Sequence, residues 1–334
     1  MATRKKKKLQ NICVTGGLGF IGSHVVVKLI NEGHKVVILD TKTDYGIINK
    51  AELDAVMQER FFGIANRITD SVSLNIYTID VANPELKTLF EKEKFDSVIH
   101  LASFPRQKVV NADPTQGSKV MSEGLLNLLE LSRQTNVKRF SYISSSMVYG
   151  DFDDLVDETQ PCNPRGQYAI MKYMGEKLVE DYSKHFDYTI VRPSAVYGPR
   201  DVEDRVLSKF VLGALNNETL SVRGADEVLD FTYVTDTAQG IALASTKDCK
   251  HAIYNITRCE LLPITLAQAA TTVIDIVGSG KWLEYDKDPN FPSRGRLSIA
   301  RARTDLGYEP KVDFEQGCKQ YIEWMKANDT IYKS

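Results

Sequence analysis

The sequence predicts a doubly wound α/β fold, a parallel sheet with helices on both faces, followed by a smaller mixed α/β lobe at the C-terminal end. Three observations lead there. Short apolar runs alternate with amphipathic segments from the start of the chain. Most of the runs are continuous in Val and Ile rather than alternating with polar residues, the mark of strands buried on both faces. The turn after the first run, "VTGGLGFIGSH", is rich in glycine and opens an amphipathic segment.

Taken in order, "NICVTG", "HKVVILD", "LNIYTID", "FDSVIHLA", "RFSYISSS" and "YTIVRPS" read as successive strands, with helical patterns between most of them, up to about residue 193. Between the second and third runs, "KAELDAVMQERFFGIANRI" has helical periodicity and few breakers. It is expected to be a decorating surface helix without an assigned role. Beyond residue 193 the elements shorten to "LSVRG", "DFTYV" and "AIYNI", then amphipathic "ITLAQAATTVIDIV" and "FEQGCKQYIEWM". The expected division is 1–193, including a basic tail over 1–9, and 194–330, with the chain crossing between the two.

A chain of 334 residues, 43% hydrophobic and 26% charged, can bury a sizeable core. A net charge of −2 leaves no electrostatic footprint for nucleic acid or a membrane surface, and the only strong run, Arg4 to Lys8, reads as a solvated tail. No apolar stretch approaches the roughly 20 residues that span a bilayer, and no signal-peptide core follows the tail. A cytoplasmic location is expected. Cys13, Cys162, Cys249, Cys259 and Cys318 are odd in number and scattered, with no CxxC pair and no histidine at metal spacing. Reduced thiols and no metal site are the expectation.

Gly16, Gly19 and Gly22 follow a predicted strand and open a predicted helix. The first glycines let the backbone turn tightly and approach a pyrophosphate, whose charge the helix N-terminus stabilises through Phe20 and Ile21; the last lets helix and strand pack closely. Asp40 ends the second strand, 18 residues beyond Gly22. There an acidic side chain accepts hydrogen bonds from adenosine ribose hydroxyls and repels a 2′-phosphate, which predicts NAD rather than NADP. Asp80 and Val81, at the end of the third strand, are placed to meet the adenine.

"YAIMK" puts Tyr168 and Lys172 four residues apart, on one face of a helix. To serve as a base near pH 7, a tyrosine that ordinarily titrates near 10 needs roughly 4 kcal/mol of stabilisation of its anion. The Lys172 ammonium and an oxidised nicotinamide are a plausible pair of sources. The spacing alone also fits a surface pair; the dinucleotide loop and a serine cluster upstream give it meaning.

With these residues in view, the chain resembles an extended short-chain dehydrogenase/reductase of the nucleoside-diphosphate-sugar epimerase and dehydratase group. The resemblance covers nearly its whole length. It is carried by "TGGLGFIGSH", "HLAS", "SSSMVYG", "DETQPCNPRGQYAIMK", "VRPSAVYGPR", "LDFTYVTD" and "ARTDLGYEP". The resemblance implies a Rossmann cofactor domain, a smaller substrate lobe, NAD, a sugar-nucleotide substrate, and a homodimer joined by helices near 114–135 and 166–186. It places the catalytic hydroxyl at Ser145, with Ser144 facing the strand and Ser146 the substrate. Leu101, Ala102 and Ser103 would meet the cofactor, and Ser103 and Arg106 the hexose. An acidic sugar such as a glucuronate would be consistent with Arg106.

Similar 4,6-dehydratases carry an Asp-Glu pair directly after the catalytic hydroxyl, because eliminating water requires a base for the C5 proton and an acid for the C6 hydroxyl. Here those positions are Ser146 and Met147, neither of which is an acid or base near neutral pH. What remains supported is hydride exchange at C4, a 4-epimerisation. A 4-ketoreductase or dehydrogenase, or an unorthodox 4,6-dehydratase, is the alternative, and a non-catalytic dinucleotide sensor lies further off. Three positions depart from the family's polar contacts: Ala195, Leu229 and Met121. The substrate diphosphate is therefore expected on Arg294 or Arg296, with Arg223 or Arg200 as weaker candidates.

Overall fold

The structure, a computed structural model, describes residues 9–68, 73–201 and 205–328. The Arg4–Lys8 run, part of the segment before the third strand and the end of the second lobe at 330 lie outside the described residues.

The strands are β1 Asn11–Thr15, β2 Lys35–Asp40, β3 Leu74–Thr78, β4 Ser97–His100, β5 Arg139–Ile143, β6 Asp187–Pro193, β7 Val196–Tyr197, β8 Thr219–Arg223, β9 Thr232–Tyr233, β10 Ile253–Ile256 and β11 Lys281–Tyr285. Seven of them form one parallel sheet in the order β10-β6-β5-β4-β1-β2-β3. Val14 of β1 sits in register with Ile38 of β2 on one side and Ile99 of β4 on the other. "AIYNI", read from the sequence as part of the smaller lobe, is β10 and instead extends the main sheet, Ile253 pairing with Ile190. A four-residue apolar strand carries no signal of which sheet it joins; the partner is more than sixty residues away.

The helices are α1 Phe20–Asn31, α2 Lys50–Ala65, α3 Leu86–Glu93, α4 Gln107–Ala112, α5 Pro114–Ser118, α6 Gly124–Gln134, α7 Gln167–Asp181, α8 Val206–Leu215, α9 Val234–Thr246, α10 Leu266–Val277, α11 Ala300–Leu306 and α12 Phe314–Ala327. A π-helical turn, Lys119–Glu123, joins α5 to α6. Because side chains alternate along a strand, Ile12 and Val14 enter a cluster with Val25, Leu29 and Ile241 of α1 and α9, while Cys13 enters another with Leu86, Leu128 and Val179 of α3, α6 and α7. Both faces of the sheet are thus covered. A third cluster lies under α8, α10 and α12 in the second lobe, with Val211, Val273 and Tyr321 fully buried.

One ionic network is sealed inside. Glu176 of α7 is 0% exposed and Arg192 of β6 is 3% exposed. Arg192 Nε and Nη2 donate to the two Glu176 oxygens at 3.0 and 2.6 Å, and the Ser144 hydroxyl donates to Glu176 Oε1 at 2.5 Å. No described helix is long and apolar enough to cross a membrane.

Removing one partner of this pair leaves an uncompensated buried charge. Glu176→Ala is expected to cost about 3–5 kcal/mol of folding free energy, measured by urea unfolding; a loss under about 1 kcal/mol, the size of an exposed pair, would show that the network contributes little.

Candidate active site

A cavity of about 1080 Å³ runs along the carboxyl ends of the central strands and into the second lobe. Its floor is the glycine loop. Gly16 has φ +68°, and a Cβ there would fall 2.7 Å from the Ala102 nitrogen; a Cβ on Gly22 would fall 2.0 Å from the Gly16 oxygen. Loop, helix start and the Leu101–Ala102 segment therefore press together where only glycine fits. Gly19 leads into α1 without a side-chain cap, so the first N–H groups of the helix have no side-chain acceptor. That is the chemistry of a pyrophosphate cradle.

Asp40, Asp80 and Val81 line one end of the cavity, and Leu101, Ala102 and Ser103 its middle. Asp40 accepts from the backbone of Leu18 and Lys42 at 2.9 and 2.7 Å. Burial raises its pKa, and these two bonds and the charge of Arg60 oppose the rise. Arg60 corrects the reading of α2 as decoration. Its side chain is buried, and it donates to the Leu18 oxygen of the glycine loop at 3.3 Å and to the Arg200 oxygen at 2.9 Å. An arginine within a helical pattern gives no hint that its partner lies 140 residues away.

At the other end, Ser145 leads into a 3₁₀ turn, Ser146–Tyr149, its hydroxyl accepting from the Met147 N–H at 3.2 Å and hydrogen-bonded to the Tyr168 side chain. One turn along α7, Lys172 Nζ donates to the Ile143 oxygen at 2.8 Å and stands 5.9 Å from the centre of the Tyr168 ring. Burial lowers the Lys172 pKa to about 7, with Glu176 pulling the other way. For Tyr168, burial raises the pKa, while the charge of Arg205, the Ser145 hydroxyl and the charge of Arg106 lower it. The sequence assigns that work to Lys172 and the nicotinamide. The structure adds two guanidinium groups beside Asp201, at 2.9 Å for Arg205 and 3.9 Å for Arg106. Nothing in the sequence marks Arg205. Ser144 is directed to Glu176, and Ser146 lines the cavity with its hydroxyl 3.1 Å from that of Ser194.

The four candidate arginines separate. Arg294 lines the cavity, with Nη1 3.5 Å from the Met147 sulfur. Its Nε makes no hydrogen bond within the chain. Burial lowers its pKa to about 10, opposed only by the charge of Glu227. Arg296 is spoken for: it grips Asp154 through Nε at 2.9 Å and Nη2 at 2.5 Å, and binds the oxygens of Glu260 and Leu261. Its expected diphosphate role is withdrawn, because residues 294 and 296 diverge into different surroundings. Arg223 lines the cavity and stacks 5.5 Å over the Tyr285 ring. Arg200 packs over Gly63, outside the cavity lining. Ala195 and Leu229 line the cavity, whereas Met121 is buried beside Phe104 and Val120. Among the described residues no cluster of three or more His, Cys, Asp or Glu could hold a metal.

Residues 12–257 match the sequence profile of the NAD dependent epimerase/dehydratase family. The chain belongs to this family. That membership makes NAD its cofactor, and the glycine cradle and Asp40 fit it. Within the NAD dependent epimerase/dehydratase family, dTDP-D-glucose 4,6-dehydratase of Mus musculus is 28% identical over 97% of this chain and 91% of its own length. UDP-glucuronate 4-epimerase of Thermodesulfobacterium geofontis is 29% identical over 96% and 98%. In three dimensions the chain is similar to UDP-glucose 4-epimerase of Thermotoga maritima, solved with UDP-glucose: TM-score 0.82, 27% identity, 95% of this chain and 99% of that one. Both reaction types therefore occur among the relatives.

The Arg60 bonds hold the glycine loop to the Arg200 turn. Arg60→Met is expected to weaken NAD binding by roughly tenfold, the loss of one charged hydrogen bond, with the far-ultraviolet circular dichroism unchanged. An unaltered Kd in a fluorescence titration would deny Arg60 that positioning role.

Proposed function

We propose that the protein is an NAD-dependent nucleoside-diphosphate-hexose 4-epimerase. The observation that carries this reading is the combination of an intact Ser145, Tyr168 and Lys172 with Ser146 and Met147 beside them. Elimination across C5 and C6 needs an acid and a base at that place, and a hydroxyl and a thioether are neither. Inversion at C4 needs only one proton acceptor.

NAD, when bound, would take up the C4 hydride and return it to the opposite face of the 4-keto sugar, which inverts C4. The cofactor residues are Gly16, Gly19, Phe20, Ile21, Gly22, Asp40, Asp80, Val81, Leu101, Ala102 and Ser103, with Tyr168 and Lys172 at the reacting end. Tyr168 accepts the C4 hydroxyl proton and gives it back; Ser145 holds the same oxygen. Lys172, anchored on Ile143, orients the tyrosine. Arg205 and Arg106 add positive charge beside the phenol, which favours its anion. Arg294 is the leading diphosphate ligand because its guanidinium is desolvated with an Nε that bonds nothing in the chain. Arg223, Ser103, Arg106 and Ser146 complete the substrate wall. In this reading residues 1–193 hold the cofactor, 194–330 supply most of the substrate wall, and β10 crosses back. The location remains proposed as cytoplasmic.

A homodimer is proposed through α5, α6 and α7. On these helices Leu126, Ile170 and Met174 are 44%, 51% and 38% exposed, apolar surface that a second copy would cover. Sedimentation equilibrium is expected to return twice the chain mass; a single-chain mass at micromolar concentration would remove the dimer.

The deciding experiment incubates the purified protein with UDP-, GDP-, CDP- and dTDP-sugars, without added NAD, and follows C4 configuration by proton NMR. Inversion of one sugar is expected. Tyr168→Phe should slow it by about 10²–10⁴-fold, and Arg294→Ala should raise KM by roughly ten- to a hundredfold with a smaller effect on kcat. Accumulation of a 4-keto sugar, or stoichiometric NADH on adding NAD, would replace epimerisation with elimination or net oxidation.

A further inference from the structure

The segment between β2 and α2 crosses the cleft. β2 and β4 flank β1 in the sheet, and the glycine loop stands at the end of β1. A dinucleotide lying along these carboxyl ends has its adenosine over β2 and β3, its pyrophosphate over β1 and its nicotinamide beyond β4. Tyr45 comes from the chain after β2, and Phe104 from the chain after β4. Their rings nonetheless meet, with centroids 4.1 Å apart at 47°. A contact between those two segments joins the loops on either side of the strand whose end carries the glycine loop. Both segments line the cavity, through Tyr45 on one side and Ser103 and Pro105 on the other.

The contact is built from both ends. Thr43 Oγ1 accepts from the Tyr45 N–H at 3.1 Å, and the Asp44 carboxylate accepts from the N–H groups of Gly46 and Ile48 at 3.0 and 2.8 Å, a self-braced turn. Tyr45 itself has φ +60°, a conformation a bulky residue adopts only where its surroundings impose it. Burial, helped by the charges of Asp80 and Asp40 and opposed by a hydrogen bond with Thr41, pushes the Tyr45 pKa up to about 12, so the phenol stays neutral. Opposite, Phe104 is 3% exposed, seated on Val110, Val120 and Met121 in the cluster that Tyr168 also joins.

We propose that Tyr45 and Phe104 form an aromatic clasp across the bound dinucleotide, so that the cofactor leaves only when this contact opens. The clasp is a cofactor-retaining device: it keeps NAD in place while one sugar replaces another. It rests on NAD being the cofactor and suits a reaction in which the hydride is returned, but its test does not depend on which sugar turns over.

The experiment loads the full-length protein with NAD, chases with excess isotopically labelled NAD, and measures the unlabelled NAD remaining by mass spectrometry after rapid desalting. Tyr45→Ala and Phe104→Ala are each expected to exchange about tenfold faster than wild type, the worth of one aromatic pair with its buried area. Tyr45→Phe should stay close to wild type, because the ring and not the hydroxyl spans the groove. The double variant should exchange no faster than the faster single one, since both changes break the same contact. Exchange at the wild-type rate in Tyr45→Ala, equal rates for Tyr45→Phe and Tyr45→Ala, or multiplied effects in the double variant would each overturn the clasp. Tyr45 lies half-buried on a turn, so its variants carry the test even where Phe104→Ala unfolds. Failure of the sugar panel would leave these rates readable, which separates the clasp from the choice of reaction.

Discussion

The carboxylate of Glu176 is tied to three elements at once: to its own helix α7, to the end of β5 through Ser144, and to β6 through Arg192. Those ties set the positions of Ser145, Tyr168 and Lys172. Ser145 and Ser146 directly follow Ser144, Lys172 and Tyr168 lie one and two turns before Glu176 on the same helix, and Ser194 follows β6. Burying a charged pair is costly unless its geometry is good and its remaining atoms are satisfied. Here two parallel arginine bonds and a serine hydroxyl meet most of that need, and the result is a fixed spacing between the hydroxyl, the phenol and the ammonium. The same carboxylate favours the charged form of Lys172, against the burial that would discharge it.

Much of this was legible in the sequence because it is written in local signals. The glycine loop needs glycines at fixed offsets, the Tyr168–Lys172 pair needs one helical turn, and buried parallel strands need uninterrupted apolar runs; each can be read in a window of a dozen residues. What stayed hidden depends on distance. Arg60 looks like one more polar residue of an amphipathic helix until its carbonyl partner from the Arg200 turn is beside it. Arg294 and Arg296 are indistinguishable in "SRGRLS", yet one is held by Asp154 and the other faces the cavity. β10 has a strand's composition but no mark of its sheet, and Tyr45 becomes meaningful only opposite Phe104.

Ala195 shows how a departure in sequence alters more than a contact. Its φ of +36° lies in the left-handed region, where asparagine is tolerated far better than alanine. The family's polar residue at this point would serve backbone as well as substrate. In this chain an alanine takes that left-handed backbone, and the cavity wall is apolar at Ala195 and Leu229. The same lining carries charged groups elsewhere, Arg223 and Arg294 among them.

The position of β10 has a consequence for how the molecule comes into being. A ribosome delivers β6 about sixty residues before the strand that covers its edge, and in that interval the sheet ends in an open row of backbone donors and acceptors. Such an edge invites pairing with a neighbouring nascent chain. Arg294 emerges later still, where it bridges to Phe152. The growing chain therefore acquires the glycine cradle for its cofactor well before it acquires Arg294 or the outermost strand of its sheet, β10, and a ligand that binds early could steady the unfinished sheet until that strand arrives.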